Sequence, residues 1–194
     1  MKGAALPAAL MAATVAGAAV LRCTNLSDRP MHCDEAVHAI KFGRLLERGE
    51  YVYDPREYHG PSLNELTLPV TWAVSASKLT QVTEAQLRFV TAVCGIVLVG
   101  LVWALRRELG MTATLFAAAG TAVSPAMVFY SRYYIQETLL VLFTFSAMVG
   151  LWRSFPASTP TGNTEPAVRV GLRACLGWLF VLGLSIGMLH ATKE

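Results

Sequence analysis

Two acidic side chains stand next to each other at Asp34-Glu35, with His32 before them and His38 one helical turn after, in the stretch MHCDEAVHAIKFG over residues 31–43. A carboxylate held where water is scarce can take a proton from a hydroxyl, which makes Asp34 a candidate general base and Glu35 a candidate supporting acid. Asp34 and His38 are four residues apart, the spacing that puts two side chains on one face of a helix. His38 then either orients the carboxylate or joins it around a divalent cation; a two-ligand set specifies no metal, and no metal centre is assigned. The plainer reading is that acidic residues open a helix because its first amides are unpaired, with no chemistry involved.

A second set of such residues lies a hundred residues on, in Ser131-Arg132-Tyr133-Tyr134-Ile135-Gln136-Glu137. The guanidinium fork of Arg132 suits a phosphate, and Glu137 would position Arg132 or a sugar; the alternative is a salt-bridged turn. Arg88 is either a second phosphate contact or a snorkelling anchor at a membrane boundary. Tyr130, Tyr133 and Tyr134 suit stacking on a sugar or an interfacial aromatic belt. His59, in His59-Gly60-Pro61, and His190, Lys193 and Glu194 complete the set of ionisable groups near apolar runs. Of these, His38, His59, Arg88, Arg132, Glu137, Lys193 and Glu194 are the candidate substrate-binding residues. Ionisable groups at such boundaries are costly and are functional candidates by default.

What positions them is a membrane. Only 15% of the 194 residues are charged, against about 25% in an average soluble domain. Five runs are long and apolar enough to cross hydrocarbon: 3–21, 89–105, 111–131, 135–152 and 174–191. Each must be helical, since lipid offers no partner to an open backbone. The fold class is therefore all-α, a polytopic transmembrane bundle formed by residues 1–194 as one unit. The first run also fits a cleaved signal peptide. Arg106 and Arg107, and Arg153, Arg169 and Arg173, fall in two loops on one side. The positive-inside rule makes that side cytoplasmic, puts the N-terminus there too, and makes 22–88 a long extracytoplasmic loop. Within it, Val37, Ile40, Leu45 and Leu46 recur among Lys41, Arg44 and Arg48, the pattern of a basic helix lying on a membrane surface. A second, partly immersed helix is expected over 63–79, after the His59-Gly60-Pro61 turn. Residues 154–167 read as a Pro/Ser/Thr-rich loop. The glycines of the apolar runs, Gly150, Gly183 and Gly187 among them, suit close helix packing.

The net charge of +3 is small and dispersed, which argues against nucleic acid. There is no P-loop or dinucleotide fingerprint, and no Ser/His/Asp arrangement. The four cysteines form no Cys-x-x-Cys pair.

In order, the chain offers one span, the Asp34-Glu35 pair opening an amphipathic helix, and His59-Gly60-Pro61. Then come Leu87-Arg88-Phe89 at a span start, Leu105-Arg106-Arg107-Glu108-Leu109-Gly110 at its far end, and Ser124-Pro125 leading into Arg132 and Glu137. This order resembles the N-terminal part of GT-C membrane glycosyltransferases of the protein O-mannosyltransferase type, in a branch associated with flipping of lipid-linked sugars. The resemblance implies a polyprenyl-phosphate-linked sugar as donor, inverting transfer to a glycan, lipid or protein acceptor outside the cytoplasm, and no cofactor beyond an optional divalent cation. It places Asp34 at the family's catalytic carboxylate, and Arg132 and Glu137 in its second polar cluster. Glu137 departs from the Asp of many relatives. The chain also stops after a span where relatives continue, which reads as a fragment. The alternatives are a non-catalytic membrane protein that binds or helps flip lipid-linked sugars, and an inactive helical fragment.

Overall fold

A computed structural model describes residues 2–54, 56–155 and 172–193, and all regular structure among them is helical. The helices are α1 (Lys2–Cys23), α2 (Cys33–Arg48), α3 (Ser62–Ala73), α4 (Glu84–Leu101), α5 (Met111–Val123), α6 (Pro125–Ser131), α7 (Glu137–Ser154) and α8 (Leu172–Lys193). α1, α8 and α4 with its 3-10 extension to Leu105 are each long and apolar enough to cross a membrane. The chain is thus an integral membrane protein built as a helical bundle. The expected loop at 154–167 lies almost wholly outside the described residues, as does Glu194.

The expected single span over 111–131 is instead two helices, α5 and α6, bent by 56° at Ser124-Pro125. Pro125 has no N–H, so the carbonyl of Thr121, four residues earlier, loses its helical donor. Arg22 replaces it: Nη2 donates to Thr121 O at 3.1 Å and Nη1 to Ala122 O at 2.9 Å. Arg22 is 1% exposed. Around it Met11 and Ala18 of α1 pack with Val99 and Val102 and with Ala118 and Ala122 of α5. α1 is therefore an integral part of the bundle.

Expected and observed starts differ most at α4. Thr83 caps the helix and Gln86 reaches back to the cap amide, a reciprocal box that extends the helix five residues ahead of the apolar run. α3 is shorter than the 63–79 segment expected, ending at Ala73 before Ser75, whose φ is +55°. α2 is bounded on the other side by Gly49, which ends it at φ +69° with its N–H on Leu45 O. The α2 faces are mixed: Glu35 and His38 are buried in the bundle beside Ala39 and Phe42, while Val37 and Ile40 stay 40% and 54% exposed. Apolar side chains turned outward suit a helix that lies along lipid.

Gly150 is in close contact: a Cβ there would come within 3.0 Å of Leu182 N in α8. Gly183 and Gly187 face open space, contrary to the packing role expected of them.

The turns put the end of α1, the starts of α2, α3, α4 and α7, and the ends of α6 and α8 at one end of the bundle. At the other end Arg153 of α7 pairs with Glu108 at 2.8 Å, and Arg106 lies over Trp103.

Candidate functional site

Asp34 and Glu35 are neighbours with opposite surroundings. The α2 helix turns by about 100° per residue, so the two carboxylates cannot share one environment. Glu35 is fully buried. It accepts from Arg88 Nε at 2.8 Å and Nη2 at 2.9 Å, from His32 N at 3.0 Å and from Tyr134 N at 2.9 Å. Burial on its own would raise its pKa; the Arg88 ion pair and the two amides more than reverse that and hold it below the usual carboxylate range. Arg88 is equally buried, and its other N–H groups go to the carbonyls of Leu26, Arg29 and Pro30. Arg88 is thus neither the phosphate contact nor the snorkelling anchor expected. It sits one turn inside a capped helix, so its whole side chain is covered by the 26–30 loop. Glu35, with four strong donors, is a structural acceptor and has no proton to give.

Asp34 faces outward, its side chain 72% exposed. Its company is local: His32 Nδ1 at 3.4 Å and Cys33 Sγ at 3.6 Å. The pairing of Asp34 with His38 is not made: His38 is 2% exposed and turned into the bundle, whereas the Asp34 carboxylate faces outward. A different trio, His32, Cys33 and Asp34, holds its possible ligand atoms within 4.8 Å of one another, all exposed. Cys23 and Cys33 are both free thiols.

Arg132 lies at the same end. It does not pair with Glu137 as expected: its Nη1 donates to Leu21 O at 2.7 Å and its Nη2 to Asn25 O at 3.2 Å. Arg29, which sequence reasoning did not single out, joins it. Arg29 Nη2 donates to Arg132 O at 2.8 Å, and its guanidinium stands 3.3 Å from the centroid of the Tyr133 ring. The two arginines line an open cavity of about 250 Å³ with Asn25, Leu26 and Asp28. Asp34 is not in its wall, but His32 links the two, its ring edge-on to Tyr133 at 6.0 Å.

A third feature lies one turn deeper along α2. The rings of His38 and His59 are 4.5 Å apart. Burial first, and then the charges of His59 and Lys41, push His38 down to about 4. Burial and Lys41 also lower His59. Both rings are therefore neutral near pH 7. Lys41 is ion-paired with Glu57. Lys193 is exposed and acts on both histidines through its charge, as Glu137 does on His59. Glu137 is exposed at the first position of α7.

The loop carrying His59 is held by α8. Gly60 N donates to Thr192 O at 3.1 Å, and Ser62 and Thr192 hydroxyls are 2.7 Å apart. A Cβ on Gly60 would lie 2.2 Å from Ala191 O, so only glycine permits this approach. Of the expected tyrosines, Tyr134 is fully buried with its hydroxyl 2.8 Å from Thr67 Oγ1, and Tyr133 lies under Arg29. Neither is a free stacking platform; Tyr130 remains half-exposed.

The arrangement provides an exposed carboxylate, a hollow with two guanidinium groups and a neutral polar interior, all at one end. No curated protein and no solved structure matches the chain. The sequence profile of the dolichyl-phosphate-mannose-protein mannosyltransferase family matches residues 51–193, from before α3 to the end of α8. The matched part contains His59, Arg88, Arg132, Glu137 and Lys193, and begins after Asp34, Glu35 and His38. With only helices as regular structure among its described residues, several apolar spans and more than half of its length matched, the chain belongs to the dolichyl-phosphate-mannose-protein mannosyltransferase family of membrane glycosyltransferases that use polyprenyl-phosphate sugar donors.

Proposed function

We propose that the chain carries the acceptor-activating and phosphate-binding groups of such a transferase, with Asp34 as general base and Arg132 and Arg29 as phosphate contacts. The observation that carries this reading is the split between the two adjacent carboxylates. Glu35 is consumed by Arg88, whereas Asp34 stays open at the end of the bundle where Arg29 and Arg132 leave a hollow. Asp34 takes the proton of an acceptor hydroxyl as its oxygen attacks the anomeric carbon. The bond from that carbon to the phosphate oxygen breaks, and the departing polyprenyl phosphate keeps its electron pair, with its charge against the two guanidinium groups. The acceptor is a glycan, lipid or protein hydroxyl, and the reacting face is extracytoplasmic. The side assignment is supported by Arg106, Arg107 and Arg153 at the opposite end.

In full-chain membranes supplied with farnesyl-phosphoryl mannose and a panel of hydroxyl acceptors, Asp34→Asn is expected to lower transfer by about 10²–10⁴-fold while leaving donor binding intact. Normal turnover in that variant removes Asp34 from the base role. Cysteines introduced at positions 34 and 132 are expected to label from outside intact cells, and one at 106 not to label; the reverse pattern inverts the orientation.

A second reading is favoured by one observation, that Asp34 lies outside both the cavity wall and the family match. The arginines would then hold or help flip a lipid-linked sugar without transfer. In that case Arg132→Ala weakens binding of farnesyl phosphate about tenfold, and wild type transfers sugar to no acceptor.

A further inference from the structure

The interior behind Asp34 contains an unusual number of buried polar atoms without partners. His38 Nδ1, both side-chain polar atoms of Asn64, Gln136 Oε1 and Thr138 Oγ1 have no hydrogen bond, and these residues are 2%, 0%, 3% and 6% exposed. His59 Nδ1 is similarly unsatisfied, 3.8 Å from the nearest Glu57 oxygen and too far for a hydrogen bond. Buried polar groups are almost always paired, so each such atom calls for an explanation.

They also belong to one neighbourhood. His38 and His59 face each other at 4.5 Å. The Tyr51 hydroxyl donates to His59 O at 2.6 Å and lies beside Asn64 without a well-formed bond to it. Gln136 Nε2 donates to the carbonyl of Tyr58, the residue before His59, at 3.1 Å, and Thr138 follows in the first turn of α7. The unpaired atoms thus come from α2, the 51–61 loop, α3 and the start of α7, where these meet.

Their chemistry discriminates among ligands. A phosphate needs donors only, yet the Gln136 oxygen and one Asn64 atom are acceptors. A metal ion is disfavoured by the Lys41 ammonium, which is paired with Glu57 close to both rings. Two neutral imidazoles, a carboxamide, an amide oxygen and a hydroxyl form a mixed set of donors and acceptors. Ligand hydroxyls are the groups that donate and accept at once.

We infer that His38, His59, Asn64, Gln136 and Thr138 form a subsite for the hydroxyls of a single hexose ring, separate from the arginine hollow that takes the phosphate. This rests on the proposed donor-binding role of the Arg29–Arg132 hollow, and it adds the residues that read the sugar.

The test compares two lipids on the full chain in detergent micelles: farnesyl phosphate and farnesyl-phosphoryl mannose. The variants are Thr138→Val and Asn64→Leu, each close to the native side chain in size and each removing the unpaired polar atoms. The expected result is about a tenfold loss of affinity for the mannosylated lipid, no change for farnesyl phosphate, and an unchanged or raised melting temperature. Equal loss for both lipids, or no loss for either, overturns the subsite; the second outcome leaves water as the occupant of the interior. If Asn64→Leu fails to fold, Thr138→Val decides alone. Loss of farnesyl phosphate binding in Arg132→Ala, with the two variants unable to tell the lipids apart, removes the hexose subsite and keeps the phosphate reading. If wild type binds neither lipid, both are overturned.

Discussion

The Glu35–Arg88 knot and the Arg29–Arg132 hollow lie beside each other and use the same types of side chain, yet one is closed and the other open. In the knot every N–H of the guanidinium is directed at a carboxylate or a carbonyl, and nothing is left for a ligand. In the hollow Arg132 is held by two backbone oxygens and Arg29 by the Arg132 carbonyl, the Tyr133 ring and a longer contact of 3.4 Å to Glu35, and a cavity remains between them. The difference shows what holds such a site. A buried ion pair satisfied on all sides contributes little net stability but makes any one-sided loss severe. It fixes the 26–30 loop and the start of α2, and those two segments then present Arg29 and Asp34.

The comparison can be broken first on its closed side. Arg88→Ala leaves the Glu35 carboxylate buried without its main partner and is expected to cost about 3–5 kcal/mol, read as a large drop in the thermal transition in detergent. Asp34→Asn, one residue from Glu35, is expected to leave that transition unmoved. If the two variants melt alike, the contrast between knot and rim is wrong.

Acid sharpens it next. His38 is held at about 4 in the fold against an ordinary 6.5, so the unfolded chain binds more protons below pH 6.5 and stability falls as pH is lowered. The loss builds between about pH 6.5 and 4, to at most about 3 kcal/mol from this group. His38→Gln is expected to flatten that part of the stability–pH curve. Glu35, an acid whose pKa is also lowered in the fold, contributes stability that is lost only at still lower pH. The smallest effect belongs to the open side: Arg132→Ala is expected to cost about 1 kcal/mol in stability, two carbonyl contacts at a rim, but about tenfold in affinity for farnesyl phosphate.

How much of this could be read in advance follows from the kind of information each feature needs. Three of the five expected spans, at α1, α4 and α8, were legible because an apolar run of about twenty residues has few alternatives. The start of α2 at Asp34-Glu35 was legible from the acidic first turn and the amphipathic repeat. The bend at Ser124-Pro125 was written in the chain too, but the apolar run around it reads as one span unless proline is given priority. The site was legible only by end and not by partner. Topology brings Arg88 and Arg132 to one end, but hydropathy does not tell that Arg88 is covered by residues 26–30 while Arg132 is not. Arg29 was missed because it looks like any loop arginine; Tyr133 in front of it, more than a hundred residues away, gives it its place. The orphaned groups of Asn64, Gln136 and Thr138 were beyond reach for the same reason.

Arg22 has a consequence for how the protein is made. Its charge sits in the apolar part of the bundle, and its two terminal nitrogens donate to carbonyls left free where α5 breaks before Pro125. Those acceptors are synthesised a hundred residues later, and an unsatisfied guanidinium is expensive in hydrocarbon. The first helix therefore has no stable final depth in the lipid until the bent one arrives to receive it, and the order of biogenesis is set by a single side chain.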